Sequence, residues 1–346
     1  MTTRGTSSAR LTIFAAVVVA MVGLAGYYVY RVRAELPRGE TAARNDSTSD
    51  AEAFRALRQQ PYVAFRDMRP GPQYGRLAFA SLDDRERRLV TNLACNRIYF
   101  APHAGVCLAV ATRPAGYRGY LMDGSLEPLH SFDIPGTPSR ARVSRDGAVA
   151  AYTVFVGVDS YLAAGLSTRT RLLDVESGRE LADLETFEVR RDGRTIHAAD
   201  FNFWGVTFTR DPSRFFATLG TNGHTYLVDG DRHGRTLTVE ADDVECPSLS
   251  PDGTRIAFKK RFGSGLTARW QPALLDLATL ATVLLPEPRH VDDQIEWLDD
   301  GHILYGLGHS LSAAQRRSDV WVLATDGASE PAIFIADAES PAVVRP

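Results

Sequence analysis

Ser250-Pro251-Asp252-Gly253-Thr254-Arg255-Ile256-Ala257-Phe258 reads as the end of one strand, a tight turn and the start of another. Ser144-Arg145-Asp146-Gly147-Ala148-Val149-Ala150-Ala151-Tyr152 repeats the phrase upstream, and Leu298-Asp299-Asp300-Gly301-His302-Ile303-Leu304-Tyr305 repeats it downstream. Asp-Gly supplies the positive φ angles of a tight hairpin, and the β-branched and aromatic residues after it favour a strand. A hairpin that returns at roughly 50-residue intervals marks the blade of a β-propeller.

From Pro61 onward the sequence parses into such blades. The clearest, Val244 to His290, has expected strands at 246–249, 255–260, 272–277 and 282–285. The next has strands at 294–298, 302–307, 320–324 and 332–335. Upstream blades are expected over 199–242, 139–190 and 92–136, the second of these ending in a strand at 181–187. Outer turns at Asp123-Gly124, Ser177-Gly178, Asp229-Gly230 and Asp326-Gly327 keep the period, with Ala278-Thr279 in the same place in the fifth unit. Strands at 62–66, 76–82 and 87–90 lack a fourth, which 340–344 supplies. The expectation is an all-β chain, a six-bladed β-propeller closed by strands from both ends, which removes the open edge. A seven-bladed ring with one unit missed, or a pair of β-sandwiches, are the alternatives.

The run Leu11–Tyr30, LTIFAAVVVAMVGLAGYYVY, carries no charge. At ~20 residues it matches a transmembrane helix. Tyr27, Tyr28 and Tyr30 lie where an interfacial belt would, and Arg31 and Arg33 follow. The expected organisation is a tail over 1–10, a signal-anchor helix over 11–30, a flexible tether over 31–60 and the propeller over 61–346. Residues 51–59 suit a short helix. A cleaved signal peptide with a Gly23-Leu24-Ala25 site competes with the anchor, as does the opposite orientation, which the flanking arginines favour.

Three cysteines occur, Cys95, Cys107 and Cys246, without CxxC spacing. Cys95 and Cys107 flank the turn Ala101-Pro102-His103-Ala104-Gly105. If Ile98 faces Ala104 across that hairpin, Cys95 faces Cys107 at a separation a disulfide can span. A bridge implies an oxidising compartment, and two buried thiols would imply a reducing one. Cys246 reads as a small buried residue. The net charge of −3 gives no electrostatic case for nucleic acid.

Four stretches carry a resemblance to a known family. They are Cys95-Asn96-Arg97-Ile98-Tyr99-Phe100-Ala101 with Gly105-Val106-Cys107-Leu108; Cys246-Pro247-Ser248-Leu249-Ser250-Pro251-Asp252-Gly253; Val291 to Asp300 with Asp319-Val320-Trp321-Val322; and Ser340-Pro341-Ala342-Val343-Val344. Residues 61–344 resemble the TolB-like six-bladed propellers, and within them the membrane-anchored proteins of high-GC Gram-positive bacteria. The resemblance implies a scaffold that binds partner proteins in the cell envelope. The α/β domain that precedes the propeller in TolB has no counterpart in this sequence, so the resemblance does not extend to translocation.

Motifs for catalysis are sparse. Gly308-His309-Ser310-Leu311-Ser312 approaches the nucleophile elbow, but Ser312 stands where the final glycine belongs. His224, His233 and His302 fall near turns. Asp292, Asp293, Asp299 and Asp300 could suggest a hard-cation site, although Asp300 already serves a turn. The loops before the inner strands converge on one mouth of the channel. They bring together Asp200, Asn202, Trp204, Glu245, Asp292, Asp293 and Gln294, a candidate site for a peptide or small ligand. The same side chains could instead bond neighbouring blades and fill the channel. Trp297 and Trp321 are expected in the core between blades.

Taken together, the sequence points to a non-enzymatic, extracytoplasmic, membrane-tethered scaffold that binds an envelope protein or peptide. It is expected to be a monomer without cofactor or metal. A carbohydrate- or cell-wall-binding sensor, or a hydrolase or lyase at the channel mouth, are the alternatives.

Overall fold

A computed structural model describes residues 5–35, 48–112, 115–157, 167–263, 267–308 and 317–346. Helix α1 (Gly5–Glu35) belongs to one unit, and residues 38–346 form a second. Helix α1 shows no apolar stripe on one side; its hydrophobic residues run all round it. Among the described residues no helix is long and apolar enough to cross a membrane, so the span expected over 11–30 rests on the sequence.

The second unit opens with helix α2 (Thr48–Leu57). Its Phe54 and Leu57 are buried against Tyr62 and Phe79, with the Phe54 and Phe79 rings 4.7 Å apart. Blade 1 receives β1 (Tyr62–Asp67), β2 (Arg76–Ser81) and β3 (Leu89–Ala94). Blade 2 is β4 (Arg97–Phe100), β5 (Ala104–Thr112), β6 (Ala115–Asp123) and β7 (Pro128–Ile134). Blade 3 is β8 (Thr137–Val143), β9 (Val149–Val156), β10 (Ser167–Asp174) and β11 (Glu180–Asp183). A hairpin follows, β12 (Glu188–Arg191) and β13 (Arg194–Ile196). Blade 4 is β14 (Asn202–Phe208), β15 (Arg214–Thr221), β16 (His224–Asp231) and β17 (Thr236–Asp242). Blade 5 is β18 (Glu245–Leu249), β19 (Arg255–Phe262), β20 (Arg269–Asp276) and β21 (Thr282–Leu284). Blade 6 is β22 (Glu296–Asp299), β23 (His302–Gly308), β24 (Ser318–Ala324) and β25 (Ala332–Ile335). The last strand, β26 (Ala338–Val344), pairs with β1 and becomes the innermost strand of blade 1. Six sheets result, closed by both ends of the chain as the sequence implied.

Core side chains fill the spaces between successive blades. Leu172 and Ala151 of blade 3 pack with Phe203, Phe215 and Leu219 of blade 4, and Leu274 of blade 5 packs with Trp297 and Tyr305 of blade 6. Each such aliphatic or aromatic side chain contributes about 1.5–3 kcal/mol on burial.

Two of the repeated turns are the same device. In each, the serine hydroxyl and the second amide beyond the aspartate's own donate to one aspartate oxygen: Ser144 and Ala148 to Asp146 (2.6 and 3.0 Å), Ser250 and Thr254 to Asp252 (2.5 and 3.0 Å). The glycines take φ of 77° and 80°, which a side chain would strain. The third phrase differs. Gly301 stays out of the left-handed region, and Asp299 takes the Gly301 amide.

Four expectations need correction. The strand expected at 181–187 stops at Asp183, where a 3-10 turn, Leu184–Thr186, redirects the chain. The hairpin β12–β13 was not expected, and β12 adds in parallel to β17, widening blade 4 to six strands. Asp229-Gly230 is not a turn: both residues pair within β16, and Asp231 caps the real turn through His233 N and Gly234 N, each at 2.9 Å. The Cys hairpin has a different register, with Ile98 facing Cys107 and Phe100 facing Gly105. The disulfide Cys95–Cys107 nevertheless forms, because Cys95 precedes β4 on the chain arriving from blade 1, and Asn96 N bonds Leu108 O at 2.6 Å. The bridge therefore fastens the crossover between blades to β5. Closing a loop of 12-residue separation is expected to contribute about 3 kcal/mol. Urea unfolding of Cys95→Ala/Cys107→Ala should show that loss, and added reductant should shift the parent but not the variant.

Candidate functional site

The residues expected at the first channel mouth are brought to the starts of the inner strands, and each is engaged within the ring. Asp200 accepts from Thr221 Oγ1 and Asn222 N, both at 2.6 Å, and these donors hold its carboxyl below the usual range. Asn202 Oδ1 accepts from Ser167 Oγ at 3.0 Å and Thr168 N at 2.8 Å, joining blade 4 to blade 3. Trp204 lies on Gly220, where a Cβ would come within 2.6 Å of the indole. Glu245 accepts from Trp270 Nε1 at 2.9 Å and lies 3.3 Å from Arg261; burial pushes its carboxyl up. Asp293 Oδ2 accepts from Gly306 N at 3.1 Å and Ser340 N at 3.2 Å, joining blade 6 to β26. Asp292 meets Lys259 at 2.6 Å and Arg140 at 3.5 Å. Burial would raise Asp292, but Lys259 and then Arg140 overcome this and hold it low. Gln294, its amide oxygen turned toward Arg142, accepts from Nη2 at 2.7 Å and Nε at 2.8 Å.

Local bulges set this mouth. Gly205 at φ 68° and Cys246 at φ 51° interrupt β14 and β18 and lie against each other. A Cβ on Gly205 would come within 2.7 Å of the Cys246 Cα. Gly205→Ala combines a left-handed strain with a backbone clash, so a loss of about 2–4 kcal/mol is expected from urea unfolding. An unchanged midpoint would show that the nested bulges do not stabilise the ring.

Other singled-out residues are structural. Trp297 is buried and donates to Ser248 O at 2.8 Å; Trp321 is half-buried under the Arg289 guanidinium. Cys246 is buried and free. Asp300 accepts from Asp252 N at 2.9 Å, tying neighbouring turns. Ser310 lies outside the described residues. Among the described residues no group of three His, Cys, Asp or Glu stands close enough to hold a metal ion.

The cavity that does open lies at the other ends of the inner strands. Its volume is about 540 Å³, within the range of ligand sites. Its floor is a network across the ring axis. Arg142 of blade 3 donates to Glu296 of blade 6, to Ser248 Oγ of blade 5 at 3.2 Å and to Ile295 O at 3.2 Å. Tyr99 of blade 2 donates to Glu296 at 3.2 Å and places its ring 4.5 Å under the guanidinium; Val343 N of β26 donates to the same carboxylate at 3.3 Å. Five blades thus meet on one buried ion pair. Above it stand Phe208, Phe216, Leu249 and Leu277, and Arg145, Arg210 and Arg345 form part of the rim.

Sequence reasoning placed the candidate site at the opposite mouth. The available signal was charge inside otherwise apolar inner strands, in Ala141-Arg142-Val143 and Ile295-Glu296-Trp297. A charge there has to meet its partner across the axis.

TolB from Acinetobacter baumannii superposes with a TM-score of 0.58 at 16% identity, over 82% of this chain and 66% of that one. The fold is that of a TolB-like six-bladed propeller. The chain also matches a chain of the nidogen/laminin complex, with a TM-score of 0.52 at 7% identity, over 82% of this chain and 98% of that one. It spans about two thirds of the TolB chain. No family model matches the sequence, and no curated protein does.

Proposed function

We propose that this chain is a non-enzymatic, membrane-tethered scaffold whose propeller lies outside the cytoplasm and binds a protein or peptide partner in the bowl. The observation that carries the reading is the bowl itself: an open cavity with apolar walls over a floor whose charged groups already satisfy one another. The contacts across the axis give that cavity a rigid, charge-satisfied floor for docking. The uncharged run 11–30 supports the tether, and the Cys95–Cys107 bridge supports an oxidising compartment. A propeller of similar fold occurs in a protein assembly, the nidogen/laminin complex.

A photo-crosslinking amino acid placed at Asp211 on the rim, and separately at the exposed Leu129 on the outer strand of blade 2, tests the docking reading in intact cells. One reproducible envelope protein captured from 211 and not from 129 is the expected result. Equal capture from both sites, or none from 211, refutes the bowl. An inactive alkaline phosphatase fused after Pro346 refutes the extracytoplasmic placement independently.

A further inference from the structure

We infer that the bowl takes an acidic peptide, an extended segment that sets Asp or Glu carboxylates against Arg145 and Arg210 and an apolar side chain against Phe208 and Phe216. This rests on the bowl being the docking site. Arg145 and Arg210 occupy equivalent places, each just before the aspartate in the turn after the inner strand of blades 3 and 4. In both turns that aspartate is committed locally. Asp146 Oδ1 accepts from Ser144 Oγ and Ala148 N, and Asp211 Oδ1 accepts from Ser213 N at 2.9 Å. The floor carboxylate, Glu296, is saturated by Arg142, Tyr99 and Val343. Both arginines are exposed and have no carboxylate within ion-pair distance among the described residues. Elsewhere on the blades arginines find one: Arg118 with Asp133, Arg171 with Glu180, Arg317 with Asp337.

The two rim arginines without a carboxylate partner belong to blades 3 and 4, and blade 1 adds Arg345, which donates to Leu298 O. The same turn position holds Pro251 in blade 5, and Pro102 follows the inner strand of blade 2. Guanidinium groups bind carboxylates through paired, planar hydrogen bonds. A long polyanion fits less well. The rim sets three arginines, Arg145, Arg210 and Arg345, against Asp211 and Asp252, and gives no continuous cationic track.

The test pans the full-length protein in detergent micelles against a random heptapeptide phage library. Enriched sequences are then synthesised with a fluorophore. The expected result is enrichment of Asp or Glu beside an apolar residue. Affinity should fall at least tenfold in Arg145→Gln/Arg210→Gln, and equally when the peptide's own acid becomes an amide. The second substitution reads the same contact without touching the protein, so a folding defect cannot imitate it. Peptides that cross-link at 211 but lack acids, and bind the double variant as well as the parent, overturn this inference and leave the docking reading standing. The absence of any peptide that cross-links at 211 overturns both. Displacement by polyphosphate at a concentration no higher than that of the acidic peptide overturns the peptide assignment in favour of a general polyanion site.

Discussion

A chain ending at Asp337 will show no cooperative thermal transition. Strand β26 contributes the innermost strand of blade 1, facing β1 through Tyr62 and Val344, Val63 and Val343, and Ala64 and Ala342. Ala338, Ala342 and Val344 are fully buried, and their loss opens the cores on both sides of the blade. Removal also deletes partners on which buried polar groups depend. Asp293 loses the Ser340 amide, Glu296 loses the Val343 amide, and Arg66 loses Glu339. Each buried group left without its hydrogen bond costs about 1–3 kcal/mol, and the total stability of such a domain is about 5–15 kcal/mol. The exposed inner edge of β1 would in addition become a template for aggregation. Calorimetry and near-ultraviolet circular dichroism of the truncated and parent chains decide the matter. A sharp transition within a few degrees of the parent would show that the ring closes without this strand.

The elements legible in the sequence are those written locally. Ser-X-Asp-Gly turns encode their own hydrogen bonds, so Ser144 to Gly147 and Ser250 to Gly253 could be read as hairpins, and the period between them gave the blades. The closing strand followed from counting, since blade 1 has three local strands and needs a fourth. Features written non-locally were hidden. Asp192-Gly193 was a readable hairpin signal, with φ of 51° and 73°, but its docking on β17 depends on an edge that no local pattern reveals. The Cys pair was found with the wrong register, because the turn joining β4 to β5 is centred between Pro102 and His103, closed by Ala101 N to Ala104 O, and not on Ala101 as an Ile98–Ala104 pairing requires. At the channel mouth the residue types were legible and their use was not. Asp200, Asn202 and Asp293 sit where chain crossings leave backbone amides unpaired, and acceptor side chains satisfy them. Residue type alone does not separate such a staple from a ligand contact. The bowl depends on Arg142 meeting Glu296 from the far side of the ring, a separation of 154 residues.

That ion pair gives the second large effect. Glu296→Gln leaves Arg142 buried without a counter-charge and is expected to cost about 3–5 kcal/mol. Arg142→Met should cost as much at neutral pH for the converse reason. Combining Arg142→Met with Glu296→Met should restore most of the loss, because a buried pair replaced by apolar side chains of similar size is often neutral or stabilising. The coupling measured by the double-mutant cycle should therefore be several kcal/mol. A pH dependence separates this from simple packing loss. Burial raises the Glu296 carboxyl, and Arg142 is the main influence that lowers it. Without Arg142 the folded-state value rises further above the unfolded one, so the folded chain binds the extra proton. Stability of Arg142→Met should then be greatest below the unfolded carboxylate value and fall as pH rises through the folded one. The double Met variant has no such group at that position and should lack this component. Urea midpoints between pH 4 and pH 8 test both statements. If the single variants are additive and show the same pH profile as the parent, the network does not hold the five blades together by charge, and Arg142 fills the axis by shape alone.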